Sequence, residues 1–135
     1  MKSWQEIMAE GSHHKKRQTI IMPDPQMPSC PEWLSPRAKE IWAELAPELF
    51  RMGLLVEIDR GMFAVLCSNQ AHIEELMIFI QKNGAMHEVK YGRHKPVRKM
   101  RPETRLYFSM SEAQLDMYKK FGMTPKSRIR ILGRV

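Results

Sequence analysis

A chain of 135 residues has room for one hydrophobic core, and a hydrophobic content of 43% is enough to fill it. The formal net charge of +7 is unevenly spread: residues 1–30 carry four basic against three acidic side chains, residues 31–83 five against eight, and residues 84–135 thirteen against four. The chain has no run of about 18 apolar residues to span a bilayer and no secretory-type apolar stretch near Met1, and Cys30 and Cys67 lie in unrelated settings that give a disulfide little support, so an intracellular, reducing environment is expected.

Residues 1–30 read as a flexible arm. Lys15, Lys16 and Arg17 follow His13 and His14 as a short basic cluster, and Pro23, Pro25, Pro28 and Pro31 disfavour helix. A short helix over Ser3 to Ala9 is conceivable, and the tail either stays solvated or grips phosphates or a neighbouring subunit. Residues 31–123 are expected to form a helical core. Ser35-Pro36 is a helix start, a side-chain acceptor followed by a residue that loses no useful donor at the first position. Ala38, Ile41, Trp42, Leu45, Ala46, Leu49 and Phe50 then recur at three- and four-residue steps. Pro47 predicts a kink or a restart, and Gly53 a stop.

A second helix is expected from Glu57 or Ile58 to Asn83, with Met62, Phe63, Leu66, Ile73, Leu76, Met77 and Ile80 as its buried stripe. The short link favours an antiparallel helical hairpin. Residues 85–101 change character and read as a basic β-hairpin or an extended loop around Tyr91-Gly92-Arg93-His94, with Pro96 forcing its strand to an edge. Pro102 opens a third helix whose inner face is predicted to carry Leu106, Met110, Ala113, Met117 and Phe121, and Gly122 stops it. Thr124-Pro125 starts a last helical turn over Lys126 to Arg130 within a basic segment, 124–135. The expected fold class is thus mainly α, a helical hairpin plus a third helix with a small basic insertion.

Signals for catalysis are weak. Glu57/Asp59 and Glu74/Glu75 fit a helix start and a solvated helix surface better than an acid–base pair, and no cysteine or carboxylate completes a zinc set around His87 and His94. Neither phosphate-loop pattern is present, so no cofactor or metal is expected. The positive signal is basic. Lys90, Arg93, Lys95, Arg98, Lys99, Arg101 and Arg105 fall within sixteen residues, and Lys119, Lys120, Lys126, Arg128, Arg130 and Arg134 fall in the last seventeen with no acid among them. Such clusters neutralise phosphates with salt-sensitive, sequence-independent affinity. An acidic protein partner and an anionic membrane surface share that attraction, and base-specific readout has no signature.

Three stretches are more telling together than apart. Cys30-Pro31-Glu32-Trp33-Leu34-Ser35-Pro36-Arg37-Ala38-Lys39, with Trp42, Leu45, Pro47 and Leu49 after it, resembles the opening block of the P27-type phage terminase small subunits. Gly53-Leu54-Leu55-Val56-Glu57-Ile58-Asp59 resembles that family's next landmark, and Phe121-Gly122-Met123-Thr124-Pro125-Lys126-Ser127-Arg128-Ile129-Arg130 its closing signature. The likeness covers roughly residues 28–132, in order. Two departures stand out: Val56 replaces a capping Thr, and the hairpin region is longer and more basic than usual.

The resemblance implies a non-catalytic, ring-forming subunit in the host cytoplasm that recognises viral packaging-site DNA and hands it to a large subunit carrying the ATPase and nuclease. On that reading Lys15, Lys16, Arg17, Lys90, Arg93, Lys95, Arg98, Lys99, Arg101 and Arg105 are the DNA-binding candidates. Lys126, Arg128, Arg130 and Arg134 meet either the large subunit or DNA. Leu54, Val65, Ile78 and Phe79 fall off the main apolar stripe and are expected at the subunit interface. Alternatives are a protein-interaction module docking on an acidic partner, a small helical DNA-binding regulator and, least supported, a nuclease.

Overall fold

In the computed structural model the structure describes residues 25–133, and it is mainly helical. The first helix, α1 (Pro36–Arg51), begins as predicted: Ser35 Oγ accepts from Ala38 N at 3.3 Å and Pro36 takes the first helical position. Ala38, Ile41, Trp42, Ala46 and Leu49 are buried along one face. Pro47 does not restart the helix. It lies on the exposed side with Ala43, so the carbonyl left without an amide faces water while the opposite face stays packed. Gly53, at φ 72°, closes the element: Gly53 N donates to Phe50 O at 3.0 Å and Leu54 N to Leu49 O at 2.8 Å.

A single 3-10 turn (Glu57–Asp59) leads into α2 (Arg60–Asn83). Val56 N donates to Asp59 Oδ2 at 3.1 Å, but valine has no oxygen to return the bond, so this start is capped from one side only. Phe63, Ala64, Leu66, Cys67 and Ala71 are buried, whereas Met62 is exposed and Ile73, Leu76, Met77 and Ile80 are only half-buried. For Leu76, Met77 and Ile80, length explains the difference. At 1.5 Å per residue the 16-residue α1 covers about 24 Å of an α2 that runs about 36 Å, and the last third of α2 has no α1 beside it. The two helices are antiparallel. Arg37 at the start of α1 holds Glu74 late in α2 through Nε–Oε2 at 2.7 Å and Nη2–Oε1 at 3.1 Å.

Ahead of α1 the chain turns at Glu32 and Trp33, with Pro28, Pro31 and Leu34 buried and Ser29 O accepting from Arg60 Nε at 2.7 Å. Cys30 packs at the edge of the core, Cys67 is fully buried within it, and both are free thiols. Burial pushes the Cys67 thiol up to about 12.

After α2, β1 (Met86–Val89) pairs antiparallel with β2 (Val97–Met100), so the insertion is a true hairpin. The next helix, α3 (Pro102–Lys120), returns along α2. Its inner face is more polar than the apolar spacing predicts. Thr104 and Gln114 are buried, while Leu106 and Ala113 are exposed and Met110 and Met117 half-buried. The polar groups reach partners on and just beyond α2: Gln114 Nε2 donates to Leu66 O at 2.8 Å, Tyr118 Oη to Gln70 Oε1, and Thr104 Oγ1 to Ala85 O at 2.8 Å. Those bonds rotate the helix about its axis relative to the predicted stripe.

Phe121 closes the core. Trp42 and Phe63 rings lie 4.7 Å apart and tilted, and Phe63 meets Phe121 edge-on at 5.7 Å. Gly122 then repeats the Gly53 ending, with Met123 N donating to Tyr118 O at 2.8 Å. The short α4 (Pro125–Leu132) is capped reciprocally by Thr124 and Ser127. Among the described residues no helix is long and apolar enough to cross a membrane.

Candidate nucleic-acid interface

The hairpin leaves the far end of the α2–α3 pair, and every residue from Lys90 to Met100 is exposed. Its register pairs Met86 with Met100, His87 with Lys99, Glu88 with Arg98, and Val89 with Val97. Side chains alternate across a strand, so Arg98 shares a face with Glu88 while Lys99 shares the opposite face with His87. Lys90, Arg93 and Lys95 sit in the connecting loop, which turns through a His94 N to Tyr91 O bond of 3.0 Å with Gly92 at φ 55°. The basic side chains therefore surround the arm rather than lining one side.

They are not equivalent. Lys99 Nζ bonds Tyr91 Oη and lies 4.7 Å from the centre of that ring, which holds it against the arm. Arg98 has the one acid of the hairpin, Glu88, as its cross-strand neighbour. Among the described residues, Lys90, Arg93, Lys95 and Arg105 form no ion pair. Arg105 stands on the first turn of α3, beside a shallow groove that it lines with Met100, Pro102, Leu106 and Ser109.

Arg101 is turned inward. Its Nε donates to Gly84 O at 2.9 Å and its Nη2 to Asn83 O at 3.0 Å, and the guanidinium lies 6.0 Å from the Phe79 ring centre. In the acidic middle of the chain, Arg37 gathers Glu40 and Glu44 of α1 as well as Glu74 of α2. These hydrogen bonds hold the Glu74 carboxyl below the usual carboxylate range and raise the Arg37 guanidinium above its ordinary value.

The C-terminal set is divided too. Lys126 and Arg130 are exposed on α4, while Arg128 is half-buried and its Nη1 reaches Gly122 O at 3.4 Å. Between them Ile129 is 73% exposed. Lys15, Lys16, Arg17 and Arg134 lie outside the described residues. Of the interface candidates, Leu54 packs against the core, Phe79 is half-buried under Arg101, and Val65 and Ile78 are 45% and 65% exposed. At 100° per residue Val65 and Ile78 stand on different sides of α2. Ile78 lines a second shallow groove with Ile73, Glu74, Met77 and Tyr107, beside and beyond the start of α1.

Thr104 ties the base of the arm to α3 and Tyr91 holds Lys99 against the arm, and the sequence assigns neither role. Thr104 follows Pro102 in an ordinary polar helix start, and the Tyr91–Lys99 contact becomes visible only once the strand register is known. Among the described residues no cluster of three or more His, Cys, Asp or Glu side chains is placed to hold a metal ion.

The family model described as phage terminase, small subunit, matches residues 38–134. No curated protein and no solved structure matches the chain.

Proposed function

The chain belongs to the phage terminase small subunits, whose role is in phage DNA packaging, and from that membership we propose that it is a non-catalytic, ring-forming adaptor that recognises packaging-site DNA and delivers it to the large subunit in the host cytoplasm. The observation that carries the DNA contact is the hairpin, exposed from Lys90 to Met100, with Lys90, Arg93, Lys95 and Arg98 around it and Arg105 at its base. Cations on all sides of a two-stranded ribbon suit a duplex groove, which phosphates flank on both sides and whose major-groove width of about 12 Å admits such a ribbon. Phosphate contact of this kind positions the subunit on DNA.

Two measurements test the reading. Light scattering is expected to find closed oligomers, and duplex affinity is expected to fall on the order of a thousandfold between about 50 and 200 mM salt if six or more phosphates are neutralised. Replacing Arg93 by Gln should lower the slope of log affinity against log salt by about 0.9. A monomer with weak, salt-indifferent DNA binding would sink the proposal.

The exposed Ile129 between Lys126 and Arg130 favours a protein contact for α4, since an apolar side chain gains little from phosphate. We assign this segment to the large subunit. Ile129→Glu should weaken large-subunit capture and leave duplex binding unchanged. The opposite pattern returns α4 to the DNA surface.

A further inference from the structure

We propose that Arg101 is the clamp that sets the direction of the basic arm, and not one of the groups that meets phosphate. An isolated two-stranded hairpin is marginally stable in water. These strands are four residues each and their loop touches solvent throughout, so the arm's direction must be fixed at its base. Three consecutive carbonyls there, those of Asn83, Gly84 and Ala85, all accept from Arg101, through Nη2 at 3.0 Å, Nε at 2.9 Å and the backbone N at 3.0 Å. Thr104 Oγ1 adds a second bond to Ala85 O, and the Phe79 ring lies under the guanidinium.

The position makes chemical sense. Asn83 O, the last carbonyl of α2, has no helical partner and lies at the negative end of the helix dipole, where a cation is favoured. Arg101 is also the residue that follows β2 and precedes α3, with the extended backbone (φ −64°, ψ 147°) of an N-cap. One residue therefore joins the end of α2, the base of the hairpin and the start of α3. Lysine does not substitute, because a single ammonium lacks the planar fork that spans two carbonyls. The consequence for DNA rests on the proposed function; the consequence for the arm does not.

The test compares Arg101→Lys, Arg101→Gln and Arg93→Gln in the full chain. Amide hydrogen exchange is followed over residues 86–100, with the helical melting midpoint as control. Both Arg101 variants should speed exchange throughout the hairpin by about tenfold or more while the helical body still melts cooperatively, and Arg93→Gln should not. Phe79→Leu removes the stacked ring but keeps apolar bulk, and it should speed the same amides by a smaller factor. On a duplex of about 20 base pairs, Arg101→Lys should lose affinity as Arg101→Gln does, with the salt slope unchanged in both. Wild-type exchange in Arg101→Lys overturns the clamp. So does a slope lowered by about 0.9 in Arg101→Gln and restored by lysine, the signature of a direct phosphate contact. If the wild-type chain ignores the duplex, the proposed function fails while the exchange result still decides the clamp.

Discussion

Gly122 and Val56 show how much one position can carry. Gly122 adopts φ 68°, and a Cβ there would stand 3.3 Å from Leu54 Cδ1 and Cδ2 and from Ile131 Cδ1. The residue thus ends α3 and also lets the loop after α1 and the last helix approach each other. Gly122→Ala combines an unfavourable backbone region with crowding, and should cost more than about 1 kcal/mol in urea unfolding. An unchanged midpoint would mean that the loop relaxes freely. Val56 is the converse. Its backbone is already extended (φ −134°, ψ 174°) and Asp59 already accepts from its amide, so a hydroxyl would complete a reciprocal cap. Val56→Thr should gain about 1 kcal/mol, read as a rise in melting temperature.

Pairs of helices are held together by a few specific contacts, and one of them titrates. The Arg37–Glu74 fork ties the start of α1 to α2, and it holds the Glu74 carboxyl below its ordinary value. A carboxylate whose folded value is depressed stabilises the fold above its unfolded value, and that contribution is lost as pH falls through the folded one. Acidification below the usual carboxylate range should therefore loosen α1 from α2, and Glu74→Gln should flatten the acid limb of the stability curve. Equal acid limbs in both proteins would assign the loss to other groups. α2 and α3 depend instead on neutral bonds, Gln114 to Leu66 O and Tyr118 to Gln70, which free the apolar side chains of α3 to face outward. Leu106, Phe108 and Leu115 are all more than half exposed for this reason.

The body of the molecule is lopsided. Its core lies where α1, the first half of α2 and the end of α3 meet, and past Ala71 no α2 residue is buried. The remaining lobe is two helices thick and carries the hairpin at its tip. Apolar residues exposed on different sides of one helix suit a head-to-tail contact, in which two unlike patches meet and a ring can close. Under the proposed ring assembly, Val65→Glu or Ile78→Glu should shift light scattering towards monomer while leaving the melting transition in place. Oligomers that persist in both variants would move the interface elsewhere.

The order of the helices, their boundaries to within a few residues, the basic half of the chain and the family were all legible in the sequence. Ser35-Pro36, Gly53, Gly122 and Thr124-Pro125 each mark the boundary they predict, because capping and backbone freedom act within a few residues. The buried face of α2 and of α3, and the direction of Arg101, came from packing. Those outcomes depend on the length of α1 relative to α2, and on polar side chains finding partners 48 residues away, as Gln114 and Tyr118 do. The spacing of apolar residues along one helix holds no information about where its neighbour stops. A run of cations likewise does not reveal which of them will turn back onto the end of a helix.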